Sequence, residues 1–161
     1  IDAALKREVF NRNGRAVLSG DPRTCAYATL DSPQSAFRNG RLVLRARFVQ
    51  SAAALVNNRC VGGGDTFWVT VSAEPYFAGD VLSLRNARVE EAEPIYRPLV
   101  EIFVATFAPR ALSIDLREEI AKMLRNARTP YDVTVPAIDV QSILAAEDRL
   151  QVKFDFRLEA R

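Results

Sequence analysis

The chain has 161 residues, 48% hydrophobic and 26% charged, with a formal net charge of +2. That balance belongs to one globular domain, residues 1–161, with enough apolar material for a real core; it excludes a disordered chain and a dense basic tract made for nucleic acid or anionic lipid. No apolar run reaches about 18 residues, so no membrane-spanning helix is expected.

The opening segment "IDAALKREVFN" places Ile1, Ala4, Leu5 and Phe10 near helical spacing and reads as the tail of a helix, stopped by Asn13-Gly14. Because the chain starts at Ile1 rather than Met, a mature or trimmed product is expected, from which a signal peptide or lipid anchor has been removed. A series of strand patterns follows. "AYATLD" is short. "GRLVLRARFVQ" sets Leu42, Leu44, Ala46 and Phe48 against Arg41, Val43, Arg45 and Arg47, and "DTFWVTVSA" sets Phe67, Val69 and Val71 against Trp68, Thr70 and Ser72. "GDVLSLRNARV" is the next strand. The connections contain Asn39-Gly40, Gly62-Gly63-Gly64 and Ala78-Gly79-Asp80, which is hairpin chemistry, so an antiparallel meander is expected over these residues.

The pattern changes near residue 94. "EPIYRPLVEIFVATFA" carries Pro94 and Pro98, suited to a first helical turn, and then Leu99, Val100, Ile102, Phe103, Val104 and Phe107. Apolar residues run nearly all the way round, which predicts a helix near 95–108 enclosed on several sides, kinked or ended by Pro109. "DLREEIAKMLRNA" has Asp115 as N-cap with Glu118 three residues on, and puts Leu116, Ile120, Met123 and Leu124 on one face of a helix near 116–127. Pro130 stops it. "YDVTVPAIDV" and "RLQVKFDFRLEA" return to strands. In the last, Leu150, Val152, Phe154, Phe156 and Leu158 lie opposite Gln151, Lys153, Asp155, Arg157 and Glu159. Five fully buried side chains at about 1.5–3 kcal/mol each contribute roughly 7–15 kcal/mol, unless part of that face lines a ligand cavity.

Cys25 and Cys60 have no histidine or further cysteine beside them to make a metal site. A disulfide is the natural pairing, worth about 3–4 kcal/mol in the chain-entropy picture, and it favours an oxidising compartment such as a periplasm. Two unpaired thiols in a cytosolic protein are the alternative.

Catalytic templates fare badly. The chain has no histidine, which removes Ser-His-Asp and Cys-His arrangements, every His-containing metal site and the commonest general base near neutral pH. Of the lysines Lys6, Lys122 and Lys153, the last two sit in regular amphipathic patterns that read as solvated faces rather than as half of a Ser-Lys dyad. Glu90, Glu91 and Glu93 precede a helix, where carboxylates complement the dipole more often than they hydrolyse a glycoside. "VGGGDTF" lacks the Gly-Lys-Ser/Thr ending of a phosphate cradle and reads as a flexible hairpin loop. Arg41, Arg45 and Arg47, with Trp68 for stacking, have the make-up of a nucleic-acid face, but charged outer strand faces are ordinary and the chain is near neutral. No catalytic residue, metal or cofactor is therefore expected.

The order of elements, together with "AEPYFAGDVLSLRNARVEEAE", resembles the YceB-like bacterial lipoproteins of the tubular lipid-binding (TULIP-like) class. The resemblance spans most of the chain and rests on no catalytic signature. It implies a periplasmic protein anchored through a lipidated cysteine upstream of Ile1, with an apolar groove for acyl chains. The expected fold is α+β: a strongly curved antiparallel sheet wrapped around a long apolar helix, with a second amphipathic helix against it. The expected function is non-enzymatic binding of a lipid or other long apolar ligand, walled by Leu99, Phe103, Phe107, Phe154 and Phe156. The alternative is a structural or adaptor domain that binds another envelope protein by an exposed strand edge, its cavity filled by its own side chains.

Overall fold

The computed structural model describes residues 9–11, 13–111, 113–126, 133–146 and 149–160. Five strands run as an antiparallel meander: β1 (Arg15–Gly20), β2 (Ala26–Arg38), β3 (Arg41–Val56), β4 (Arg59–Ala78) and β5 (Val81–Glu91). Helix α1 (Arg97–Ala111) follows, then the two-residue strand β6 (Ile114–Asp115) at the far edge of the same sheet, and helix α2 (Leu116–Asn126). Strands β7 (Val133–Ala145) and β8 (Leu150–Ala160) pair only with each other, as a separate two-stranded ribbon. The expected helix at the N-terminus falls mainly on residues outside those described. Phe10, the last of its expected apolar positions, is buried in the core, as is Val9 beside it.

Turn chemistry explains the meander. Asn39 and Gly40 have φ of 50° and 75°, the left-handed pair that a two-residue hairpin turn requires, and Gly79 at 66° opens the turn into β5. The β3–β4 connection is not the glycine triplet. It is Asn57-Asn58, with φ of 49° and 61°, and Gly62, Gly63 and Gly64 lie inside β4 opposite Ala53, Ala52 and Ser51. The expectation of a flexible glycine hairpin loop is overturned because asparagine tolerates left-handed φ and supplied the turn earlier in the chain. The glycines serve close approach instead: a Cβ on Gly62 would lie 2.5 Å from the Ala52 carbonyl oxygen.

Register shifts bend the sheet. β2 bulges between Asp31 and Gln34, where Ser32 has φ of 50° and Pro33 gives up a ladder bond, and β4–β5 shifts twice between Thr70 and Glu74. The result is a strongly curled half-barrel sheet with two helices. The curl brings α1 into contact with both β5 and β1. The main core lies between them, around Phe48, Val69, Val89, Val100 and Phe103, and Phe48 stacks on Phe67 at 4.6 Å and packs tilted against Tyr96 at 5.2 Å.

Helix α1 is seated on the sheet along one side only. Val100 is fully buried and Phe103 and Val104 nearly so, whereas Ile102 is 66% exposed and Glu101, Ala105 and Thr106 are also exposed. A single concave face accepts the 100, 103, 104 stripe and leaves the opposite flank outward, however apolar that flank is. Backbone helix continues past Pro109 to Ala111, so Pro109 does not end it. Helix α2 starts as expected, the Glu118 amide donating to Asp115 Oδ1 at 3.0 Å. It buries Ile120 and half-buries Leu116 and Leu124, while Met123, expected on the same face, is exposed.

Candidate binding surface

The arginine face foreseen for strand β3 is occupied by the protein's own groups. Arg41 donates to Glu74 at 2.5 Å and to Ser72 at 2.9 Å, and Arg47 forms a fork on Asp31 at 2.8 and 2.9 Å. The Arg45 guanidinium lies over the Trp68 ring, 4.7 Å from its centroid. Glu90 accepts from Ser72 and Arg88, and those bonds hold its carboxyl below the usual glutamate range. Asp31 is lowered likewise, first by its bond from Arg47. Low carboxylate values and mutual pairing describe a structural network on the outer sheet face rather than an acid–base pair. Among the described residues no cluster of three or more potential metal ligands occurs.

The space between sheet and α1 is filled. Phe48, Val69 and Val100 are essentially inaccessible there, and the Tyr96 hydroxyl donates to Asp65, which pushes the phenol up. Two of the predicted wall residues, Leu99 and Phe103, belong to this packed core. The Phe107 side chain lies outside what the structure describes. Phe154 and Phe156 are on the ribbon, with ring centroids 5.9 Å apart. The four described wall residues thus sit in two packing units, Leu99 and Phe103 in the core and Phe154 and Phe156 on the ribbon.

The ribbon carries the remaining apolar surface. Residues directly paired across strands share a face, so Ile138 with Phe156, Val140 with Phe154, Ile143 with Val152 and Ala145 with Leu150 make one continuous apolar side. Its turn end is docked: Ala145 and Leu150 pack on a second small core of Phe37, Leu42, Ala73, Leu82 and Leu84. Helix α2 packs on β7. Toward the chain end the cover runs out, leaving Phe156 48% and Leu158 45% exposed. The β7 partners escaped sequence reading because Pro136 and Gln141 fall at register shifts that break the alternation of "VTVPAIDVQSILA".

The ribbon's other side is charged. Asp139 faces Asp155 directly, an unfavourable like pair that the Gln141 amide bridges at 2.8 and 3.3 Å. Lys153, Asp155, Arg157 and Glu159 make no ion pair among the described residues. No further strand pairs with either outer edge of the ribbon among those residues.

The disulfide is present: Cys25 and Cys60, Cα atoms 5.3 Å apart, tie the β1–β2 loop to the tip of the β3–β4 arm. No described helix is long and apolar enough to cross a membrane. Comparison with known proteins identifies no relative: no family model, no curated protein and no solved structure matches this chain.

Proposed function

We propose that this chain is a non-enzymatic binding domain of the cell envelope, and that it binds another polypeptide through the β7–β8 ribbon. The observation that carries this reading is a ribbon with both edges unpaired among the described residues and an apolar face left half open at Phe156 and Leu158. An extended segment adds to such an edge by main-chain hydrogen bonds, and alternate side chains set specificity. The filled space beneath α1 supports an adaptor over a lipid container at that position. The disulfide supports an oxidising compartment such as the periplasm. The curled sheet with its seated helix supports the TULIP-type resemblance in architecture.

A second reading, binding of a lipid or other long apolar ligand, is favoured by an open cleft of about 540 Å³ beside β7, lined by Phe77, Ile138, Val140 and Ile143 together with Asp80 and Arg117. That volume falls within the roughly 300–1,000 Å³ of small-molecule sites. A photo-crosslinking amino acid at position 156 or 158, irradiated in the producing cell, separates the two. Polypeptide adducts at both positions and none at position 68 are expected. Acyl-chain adducts alone would transfer the proposal to the lipid reading, and no adduct at either ribbon position would overturn the polypeptide reading.

A further inference from the structure

We propose that the partner of the ribbon is a second copy of this chain, with the two β8 strands pairing antiparallel about a two-fold axis at Phe156. The inference rests on reading the ribbon as a protein-binding module and names what it binds.

Strand β8 alternates Lys153, Asp155, Arg157 and Glu159 on one face with Val152, Phe154, Phe156 and Leu158 on the other. A two-fold at Phe156 sets Lys153 opposite the second copy's Glu159 and Asp155 opposite its Arg157. Symmetry repeats both, so all four charges of each strand meet an opposite charge. On the other face Phe156 meets Phe156 and Phe154 meets Leu158, which covers the two apolar side chains left most open on this strand.

Other registers do worse. An axis at Asp155 sets Lys153 against Arg157 and Asp155 against itself. An axis at Arg157 sets Asp155 against Glu159. A shift by half a pair lays the charged face of one copy beside the apolar face of the other. Parallel in-register pairing stacks every charge on its like. An axis at Phe154 keeps Lys153 against Asp155 but leaves Arg157 facing Gln151. Of these registers, the Phe156 axis alone satisfies all four.

Two features of the single chain point the same way. Pairing two ribbons makes a four-stranded sheet, β7-β8-β8-β7. Asp155 already faces Asp139, and the second copy's Arg157 supplies the cation that this pair lacks. Helix α2 contacts β7, the inner strand's neighbour in that sheet, and strand β8 has no comparable helix contact.

The test is sedimentation equilibrium of the full chain with its disulfide intact. Reversible monomer–dimer association is expected. Asp155→Arg alone opposes Arg157 with arginine, and Arg157→Asp alone opposes Asp155 with aspartate; each weakens association about tenfold or more. The double variant D155R/R157D restores it, and so does mixing the two single variants, which form a heterodimer. Phe156→Cys, lying on the axis, gives a dimer linked by an intermolecular disulfide under oxidation. Unchanged circular dichroism of the charge variants shows that they fold. A wild type monomeric at all concentrations, or association indifferent to the charge swaps, overturns the inference. If crosslinks at position 156 then go to a different polypeptide, the binding reading survives and only the choice of partner falls.

Discussion

Three adjacent glycines separate a strand from a loop by experiment. In the structure, Gly62, Gly63 and Gly64 run inside β4, and an added Cβ would meet different surroundings at each. At Gly62 it would come within 2.5 Å of both the Ala52 carbonyl oxygen and the Ala53 Cα, and at Gly64 within 2.5 Å of the Gln50 carbonyl oxygen. All three are backbone atoms that no rotamer change can move, so β3 and β4 must separate. At Gly63 nothing lies within 4 Å. Gly62→Ala and Gly64→Ala are therefore expected to lose about 1–3 kcal/mol each, the usual penalty of forced overpacking. Gly63→Ala should be neutral or gain about 0.4–1 kcal/mol, since alanine restricts the unfolded chain. For a chain of this length about 2–4 °C accompany each kcal/mol, so the first two variants should melt roughly 2–12 °C lower. Urea unfolding with the disulfide intact measures the free energies, and hydrogen exchange at residues 51–56 reports whether the loss is local to the arm. Equal effects at all three positions would refute the strand assignment, because a solvated loop accommodates every Cβ alike.

Replacing both Cys25 and Cys60 by serine releases a crosslink between residues separated by 35 positions; the chain-entropy expectation is a loss of about 4 kcal/mol, read as a lower urea midpoint. Phe48→Ala removes a fully buried ring stacked on Phe67 and tilted against Tyr96, and should cost about 3–5 kcal/mol in the same assay; a loss below about 1 kcal/mol would contradict the packed sheet–helix core. The Asp31 carboxyl is held below the usual aspartate range by Arg47, so its stabilisation is fully present above the ordinary value of about 4 and is lost as pH falls through the lower folded value. Asp31→Asn should accordingly cost about 1–2 kcal/mol at neutral pH, with the gap to wild type closing below about pH 4; a gap independent of pH would show that the ion pair contributes nothing. Ile102→Glu should fold with a stability within about 0.5 kcal/mol of wild type, because that side chain already faces outward.

Much of the architecture was legible in the chain. Alternation in "GRLVLRARFVQ" and "DTFWVTVSA" placed β3 and β4 and sorted their faces correctly, Phe48 and Val69 inward and the arginines outward. Asn39-Gly40 gave a hairpin turn, Asp115 gave a helix cap and the two cysteines paired. The glycine triplet was misread because glycine permits both a loop and a close-packed strand, and the choice depended on what lay across from it. The candidate wall was legible only as separate elements: Leu99 and Phe103 on one, Phe154 and Phe156 on another, with no local signal that they would enter different packing units.

Side-chain periodicity within "RLQVKFDFRLEA" dictated a two-faced strand, since successive residues of an extended chain must point to opposite sides. What those faces meet was decided at long range. The strand joined β7 in a ribbon of its own, and its apolar side was covered at Leu150 but not at Leu158. In the same way the apolar pattern near residues 95–108 predicted a helix enclosed on several sides, but the curled sheet had one concave face to offer, and Ile102 was left in solvent. Burial depends on how much complementary surface the rest of the chain can bring to a position, and that quantity exists only after folding.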